Sequence, residues 1–187
     1  MSPVIVLVGA PGAGKTSIGR ALAVALGIDF ADTDELLETA EGRSVSDVFI
    51  DDGEDYFRAR ERETVAKAMA VQDGVLALGG GAVLADESRE LLAGTPTVWL
   101  RLAPDTAVKR VGLNAARPML LGGVRSQLIG LLKERTPLYE QVATITLDVD
   151  ELDIDAAVAA IAEELGQSVT PTPDTHTPAT LEGSGEL

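Results

Sequence analysis

The chain has 187 residues, 45% of them hydrophobic, with no cysteine and a formal charge of −15 at pH 7. That length and apolar content fit one globular domain with an adequate core, and the absence of cysteine excludes disulfide frameworks and thiolate metal sites. Ten of the 30 acidic residues lie from Asp148 onward, where there is no lysine or arginine, so nucleic acid is not an expected partner.

The apolar run Val4-Ile5-Val6-Leu7-Val8 reads as a buried strand. It passes directly into Gly9-Ala10-Pro11-Gly12-Ala13-Gly14-Lys15-Thr16, a full match to G-x-x-x-x-G-K-[ST]. A strand, a glycine-rich turn and then a helix is the context that gives this pattern meaning: its amides face the phosphates of a nucleoside triphosphate. Lys15 suits the β/γ-phosphates, and the Thr16 hydroxyl can ligate Mg2+. Ile18, Ala21, Leu22, Ala25 and Leu26 stripe the helix that follows, and Gly27 is placed to end it. A short strand, Ile28–Ala31, leads to Asp32-Thr33-Asp34. Short helices are predicted at about Glu35–Thr39 and Ser46–Ile50, then a longer one from about Glu54 to Ala70.

Val75–Leu78 is a strand that opens into Gly79-Gly80-Gly81. Helix Glu87–Leu92, strand Thr97–Leu102 and a helix starting behind Pro104 follow. Gly112–Gly123, with Arg117-Pro118 at its centre, reads as irregular, and a loop of that length suits a lid. Leu128–Lys133 is predicted helical, Thr144–Leu147 is the last strand, and Ile154, Val158, Ile161 and Leu165 stripe the final helix. Gly166 ends that helix; residues 167–187 are rich in Pro, Thr, Ser, Gly and Glu and are expected to be a disordered acidic tail. Alternating strands and helices predict an α/β fold with a parallel sheet covered on both faces. No apolar run approaches the roughly 18 residues of a membrane helix, and no secretory leader precedes the first strand, so a cytoplasmic protein with no membrane partner is expected.

A phosphate loop alone does not distinguish a kinase from a GTPase or a motor. Asp32 and Asp34 follow the second strand, at the carboxyl end where open α/β sheets bind ligands. On an extended Asp-Thr-Asp segment both carboxylates share one side, one suited to the water shell of Mg2+ and the other to a substrate hydroxyl. One of them could instead cap the next helix, a role that Thr33 or Asp34 also suits. In Gly53-Glu54-x-x-Phe57-Arg58-x-x-Glu61, Glu54 and Arg58 are spaced to pair, leaving Arg58 to fork an anionic substrate; a solvated salt-bridged face would look similar. The triple glycine leaves a strand end bare, so a ligand can approach its backbone amides. Arg110, Arg117 and Arg135 are further candidate cations. The lone histidine, His176, lies in the tail, which excludes histidine acid–base chemistry.

Taken together, the phosphate loop, Asp32-x-Asp34, the Gly53–Glu61 motif, Gly79-Gly80-Gly81, Arg117-Pro118 and Arg135-x-x-x-Tyr139 resemble shikimate kinase in order and approximate spacing, over about Pro3–Leu165. The resemblance implies a P-loop fold of the nucleoside-monophosphate-kinase type, with a five-stranded parallel sheet flanked by helices. It implies transfer of the γ-phosphoryl group of ATP to the 3-hydroxyl of shikimate. It also implies a domain over residues 1–166 with its lid at about 112–123. On this resemblance Gly12, Ala13, Gly14, Lys15, Thr16 and Ser17 hold ATP, with Arg110 against the adenine and Arg117 closing on the phosphates. Thr16 binds Mg2+ and Asp32 supports it through water. Asp34, Arg58, Gly80 and Arg135 bind shikimate, and Lys15, Asp34 and Arg117 are catalytic. The protein is expected to be a monomer. The stretch Asp150-Glu151-Leu152-Asp153 departs from the basic or amide residue often found there in the family, so its adenine contact stays open. Two rivals stay open as well: another small-molecule kinase on the same scaffold, such as gluconate kinase, and a nucleotide-dependent binding protein without transfer chemistry.

Overall fold

A computed structural model of the chain describes residues 5–113 and 121–166. Five parallel strands form one sheet in the order β2-β3-β1-β4-β5. They are β1 (Ile5–Val8), β2 (Phe30–Asp32), β3 (Val75–Ala77), β4 (Thr97–Arg101) and β5 (Ile145–Asp148). β1 is central, pairing Val6 with Leu76 of β3 on one side and with Thr97 of β4 on the other. All four of its residues are buried, which explains why it reads as an unbroken apolar run rather than an alternating one.

Alternation along β1 divides the core between the two faces of the sheet. Ile5 and Leu7 pack with Leu22 of α1 (Lys15–Leu26) and Ile161 of α7 (Ile154–Glu164). Val6 and Val8 pack with Trp99, Tyr139 of α6 (Leu121–Val142), and Val65 and Met69 of α3 (Val45–Val71). A smaller cluster of Leu37, Val48 and Phe57 joins α2 (Thr33–Glu41) to the early turns of α3.

Several boundaries differ from the sequence reading for local reasons. β2 begins at Phe30 rather than Ile28, because the Ile28 amide closes the end of α1 by donating to the Ala23 carbonyl at 3.0 Å. The two helices predicted on either side of Gly53 run on as α3, broken at Gly53 with φ 83° and ψ 171°. A 3-10 turn, Ala82–Leu84, was not foreseen; α4 is Asp86–Leu92. α5 is Pro104–Leu113, with proline as its first residue, where a missing N–H costs nothing. Gly112–Leu113 therefore belong to α5, and Leu121–Gly123 to α6, rather than to the expected loop. Arg117 and the tail from Gln167 lie outside the described residues. α6 is far longer than the predicted Leu128–Lys133 and contains Pro137. Glycine and proline hide its pattern in the sequence, while burial of Leu128, Leu132 and Tyr139 carries the helix through them.

Candidate active site

The carboxyl ends of β1, β2 and β3 converge on one cleft. After β1, Gly12 and Gly14 take φ of 83° and 89°, in the left-handed region where only glycine is unstrained. Gly14 immediately precedes α1, so the turn runs into a helix N-terminus, where anions are favoured. Lys15 folds back over the turn, its Nζ donating to the carbonyls of Gly9 at 2.8 Å and Ala10 at 3.1 Å. Burial pulls this ammonium down to about 8, opposed by the carboxylates of Asp34 and Asp32.

β2 supplies the acids. The Thr16 hydroxyl donates to Asp32 Oδ2 at 2.7 Å, while Asp32 Oδ1 accepts the Asp34 N–H at 2.9 Å. Asp32 is thus the helix cap of α2, whereas Thr33 and Asp34 are already helical. The Asp-Thr-Asp segment is a strand-to-helix junction and not an extended run. Both acids nonetheless lie close enough to Lys15 to act on its charge. Burial pushes the Asp34 carboxyl up to about 6, with Asp32 adding to the rise, Lys15 opposing it and Glu61 reinforcing it.

The triple glycine makes room for side chains as much as for a ligand. A Cβ on Gly79 would stand 2.5 Å from Asp34 Oδ1, and one on Gly81 would overlap the Arg58 guanidinium. The Gly79 amide donates to Thr33 Oγ1 at 2.8 Å, and the Gly80 carbonyl accepts from the Tyr139 hydroxyl at 2.6 Å. Arg58 pairs with Glu61 at 2.6 Å and only loosely with Glu54, at 3.5 Å. The expected Glu54 partner is therefore the lesser one. Glu61 is 4% exposed, and its bond to Nη1 sets the guanidinium direction. Arg135 is 9% exposed, and its buried Nε has no partner among the described residues.

These groups surround one cavity of about 340 Å3, lined by Pro11, Asp34, Phe49, Arg58, Gly80 and Arg135 among others. A second cleft of about 620 Å3 lies beyond the phosphate loop, between Ala13, Gly14 and Ser17 on one wall and Leu152, Asp153 and Ile154 on the other. Arg110 spans it, donating to the carbonyls of Val149 at 2.8 Å and Asp150 at 3.2 Å, and reaching that of Gly12 at 3.4 Å. Two of the three acids of the Asp150–Asp153 stretch are used structurally: Asp150 accepts the Ala103 amide, and Asp153 caps α7.

A family model described as shikimate kinase matches residues 11–166. The chain belongs to the shikimate kinase family. A shikimate kinase from Thermobifida fusca is 52% identical over 163 residues, covering 87% of this chain and 95% of that one. The structure of a shikimate kinase from Acinetobacter baumannii in complex with shikimate has a TM-score of 0.80 at 34% identity, covering 89% of this chain and 94% of the other. One from Bacteroides thetaiotaomicron also has a TM-score of 0.80, at 30% identity, covering 88% and 98%.

In this shikimate kinase family member, the expected residues Lys15, Thr16, Asp32, Asp34, Arg58, Gly80 and Arg135 come together from five elements and the turns beside them. Arg110 sits on the other cleft, with Gly12–Ser17 between the two. The sequence suggests Thr33 only as a helix cap, and it suggests no role for Glu61 or Tyr139. Glu61 was legible as a residue three positions from Arg58 on one helix face. The other two act across 46 and 59 residues of chain, and no local pattern signals such contacts.

Proposed function

We propose a residue-by-residue route for the ATP-dependent phosphorylation of shikimate, the reaction of this family, with the 3-hydroxyl as acceptor. The observation that carries it is the shared cavity: Pro11 of the phosphate loop and Asp34 line the same space as Arg58 and Arg135. A triphosphate gripped by the loop therefore has its end beside a pocket whose far wall is cationic. Two guanidinium groups suit a carboxylate, which each can fork bidentately.

The amides of Gly12–Ser17 hold the phosphates, and Lys15 exchanges its carbonyl partners for phosphate oxygens. The nucleotide's base takes the second cleft, against Arg110 and the apolar wall of Leu152 and Ile154. Among the described residues, no group of three or more His, Cys, Asp or Glu side chains is placed to hold a metal ion. A divalent cation here depends on Thr16, on Asp32 through water, and on the nucleotide itself, which fits the hydration habit of Mg2+. When bound, Mg2+ would neutralise charge on the β- and γ-phosphates. Asp34, held in its ionised form above about pH 6, accepts the proton of the attacking hydroxyl and orients its oxygen. Arg58, Arg135 and the Gly80 amide hold the substrate carboxylate. Arg117, from the expected lid, closes on the phosphates and excludes water.

The proposed route calls on no residue of a second subunit, and the proposed state is a monomer. Among the described residues no helix is long and apolar enough to cross a membrane, and the proposed setting is the cytoplasm. Incubation with ATP, Mg2+ and shikimate, read by mass spectrometry, should yield shikimate 3-phosphate. Gluconate in place of shikimate should give none. Lys15→Met should cut turnover by roughly a hundredfold to a thousandfold, the usual loss for a charge that acts chiefly in the transition state. Product from gluconate but not shikimate would overturn the substrate assignment.

A further inference from the structure

The segment Gly79-Gly80-Gly81 has little intrinsic reason to hold one conformation, since glycine has more backbone freedom to lose than any other residue. The shikimate cavity nevertheless needs its middle peptide fixed. Two side chains from distant parts of the chain grip the segment: Thr33 Oγ1 holds the Gly79 amide, and the Tyr139 hydroxyl holds the Gly80 carbonyl. We infer that Tyr139 is a positioning residue for the substrate carboxylate site, its hydroxyl setting the direction of the Gly80–Gly81 peptide and so of the Gly81 N–H, a second backbone donor beside the Gly80 amide. The inference rests on the assignment of the Arg58–Gly80–Arg135 cavity to shikimate.

The geometry is specific. In a trans peptide the C=O and the following N–H point in opposite directions. Tyr139 is not among the residues that line the substrate cavity; with Trp99 and Thr136 it lines a separate space. Holding the Gly80 carbonyl on Tyr139 therefore turns the Gly81 N–H away from Tyr139, and Gly81 lies against the Arg58 guanidinium. Neither Gly80 N–H nor Gly81 N–H has a hydrogen-bond partner among the described residues.

The anchor is itself immobile. Tyr139 is 1% exposed, and its ring stacks on Trp99 with centroids 6.0 Å apart. It follows Arg135 by four residues, one turn along the same face of α6. One helix thus presents both a cation for the substrate and the hydroxyl that shapes the amide facing it. Burial pushes the phenol up to about 12, against the pull of nearby Arg135, so it remains a donor throughout the working range.

Steady-state kinetics and shikimate titrations of Tyr139→Phe, Trp99→Phe and Arg58→Ala test this. Tyr139→Phe keeps the ring and its stack but leaves the Gly80 carbonyl unpartnered and removes the hydroxyl's interaction with Arg135. It should raise KM for shikimate roughly tenfold, the scale of one lost neutral hydrogen bond, while KM for ATP stays within about twofold. Trp99→Phe disturbs the same core without touching the hydroxyl; it should lower the melting temperature and leave KM for shikimate nearly unchanged. If both variants shift shikimate KM alike, Tyr139 is only a packing residue and the proposal fails. A Tyr139→Phe protein that no longer binds ATP also overturns it, because the hydroxyl would then serve global stability. Unchanged shikimate affinity in Arg58→Ala removes the cavity assignment, and the inference with it. Weakened binding in Arg58→Ala alone, with Tyr139→Phe normal, overturns only the role of Tyr139.

Discussion

At the residue scale, the site holds two groups in costly protonation states. Asp34 has an ordinary carboxylate value of 3.8 but titrates near 6 in the folded chain, chiefly through burial. An acid whose folded value is raised binds its proton more tightly in the native state. Stability therefore falls as pH rises from about 4 to about 6, and the full penalty stands above that. Asp34→Asn should remove it, stabilising the protein at pH 7 by about 1–3 kcal/mol while turnover collapses. Thermal melts at pH 4 and pH 7 check this: the gain should be present at pH 7 and nearly absent at pH 4. In the unmodified enzyme, kcat/KM for shikimate should fall as pH drops below about 6, as the acceptor carboxylate becomes protonated. Lys15, lowered by burial from 10.5 to about 8, adds a second penalty with the opposite pH dependence, full below about 8 and relieved as pH rises toward 10.5. Such strain concentrated at the working groups fits a trade of stability for activity.

At the element scale, the break in α3 matters most. Residues before it, Val45, Ser46, Phe49 and Ile50, and residues after it, Phe57, Arg58 and Glu61, line the same cavity. The angle at Gly53 thus sets how far the apolar wall stands from Arg58. Ion pairs hold that angle. Arg43 reaches Asp51 and Asp52 before the break, whereas the nearly buried Glu41 accepts from Arg60 at 2.6 Å and from Tyr56 at 3.2 Å beyond it. A Cβ at Gly53 would meet nothing within 4 Å, so Gly53→Ala isolates the torsional cost of a conformation at φ 83°, ψ 171°. That region is essentially reserved for glycine, and the substitution should cost about 1–3 kcal/mol or straighten the helix. Chemical denaturation measures the first outcome, and a raised KM for shikimate with unchanged KM for ATP would report the second.

At the scale of the whole molecule, a chain of formal charge −15 must bind two anions. It does so by placing cations on both sides of the phosphate loop, Arg58 and Arg135 on one cleft and Arg110 on the other, with Lys15 between them, while acid dominates the sequence from Asp148 onward. The last described helix, α7, packs against α1 with Ile161 fully buried, which ties the far end of the chain to the helix that carries the phosphate loop. Truncation after Gly166 keeps that contact. It should leave kcat and both KM values within about twofold, since the proposed route uses no residue beyond Gly166; a steady-state assay of the shortened chain would show it.

The amino-acid sequence by itself determined the strand–turn–helix that binds phosphate, the alternation that yields a parallel sheet, and the identities of the charged residues around the cleft. Those features are local: they follow from periodicity, from glycines that admit positive φ, and from the spacing of residues a few positions apart. Only the tertiary structure decided that Asp32 rather than Thr33 or Asp34 caps α2, that Arg58 leans on Glu61 more than Glu54, and that Gly79 and Gly81 make way for side chains. The same holds for the length of α6 and the grip of Thr33 and Tyr139 on the glycine segment. Each depends on groups brought together across tens of residues, where burial sets the strength of a contact and no sequence periodicity records it.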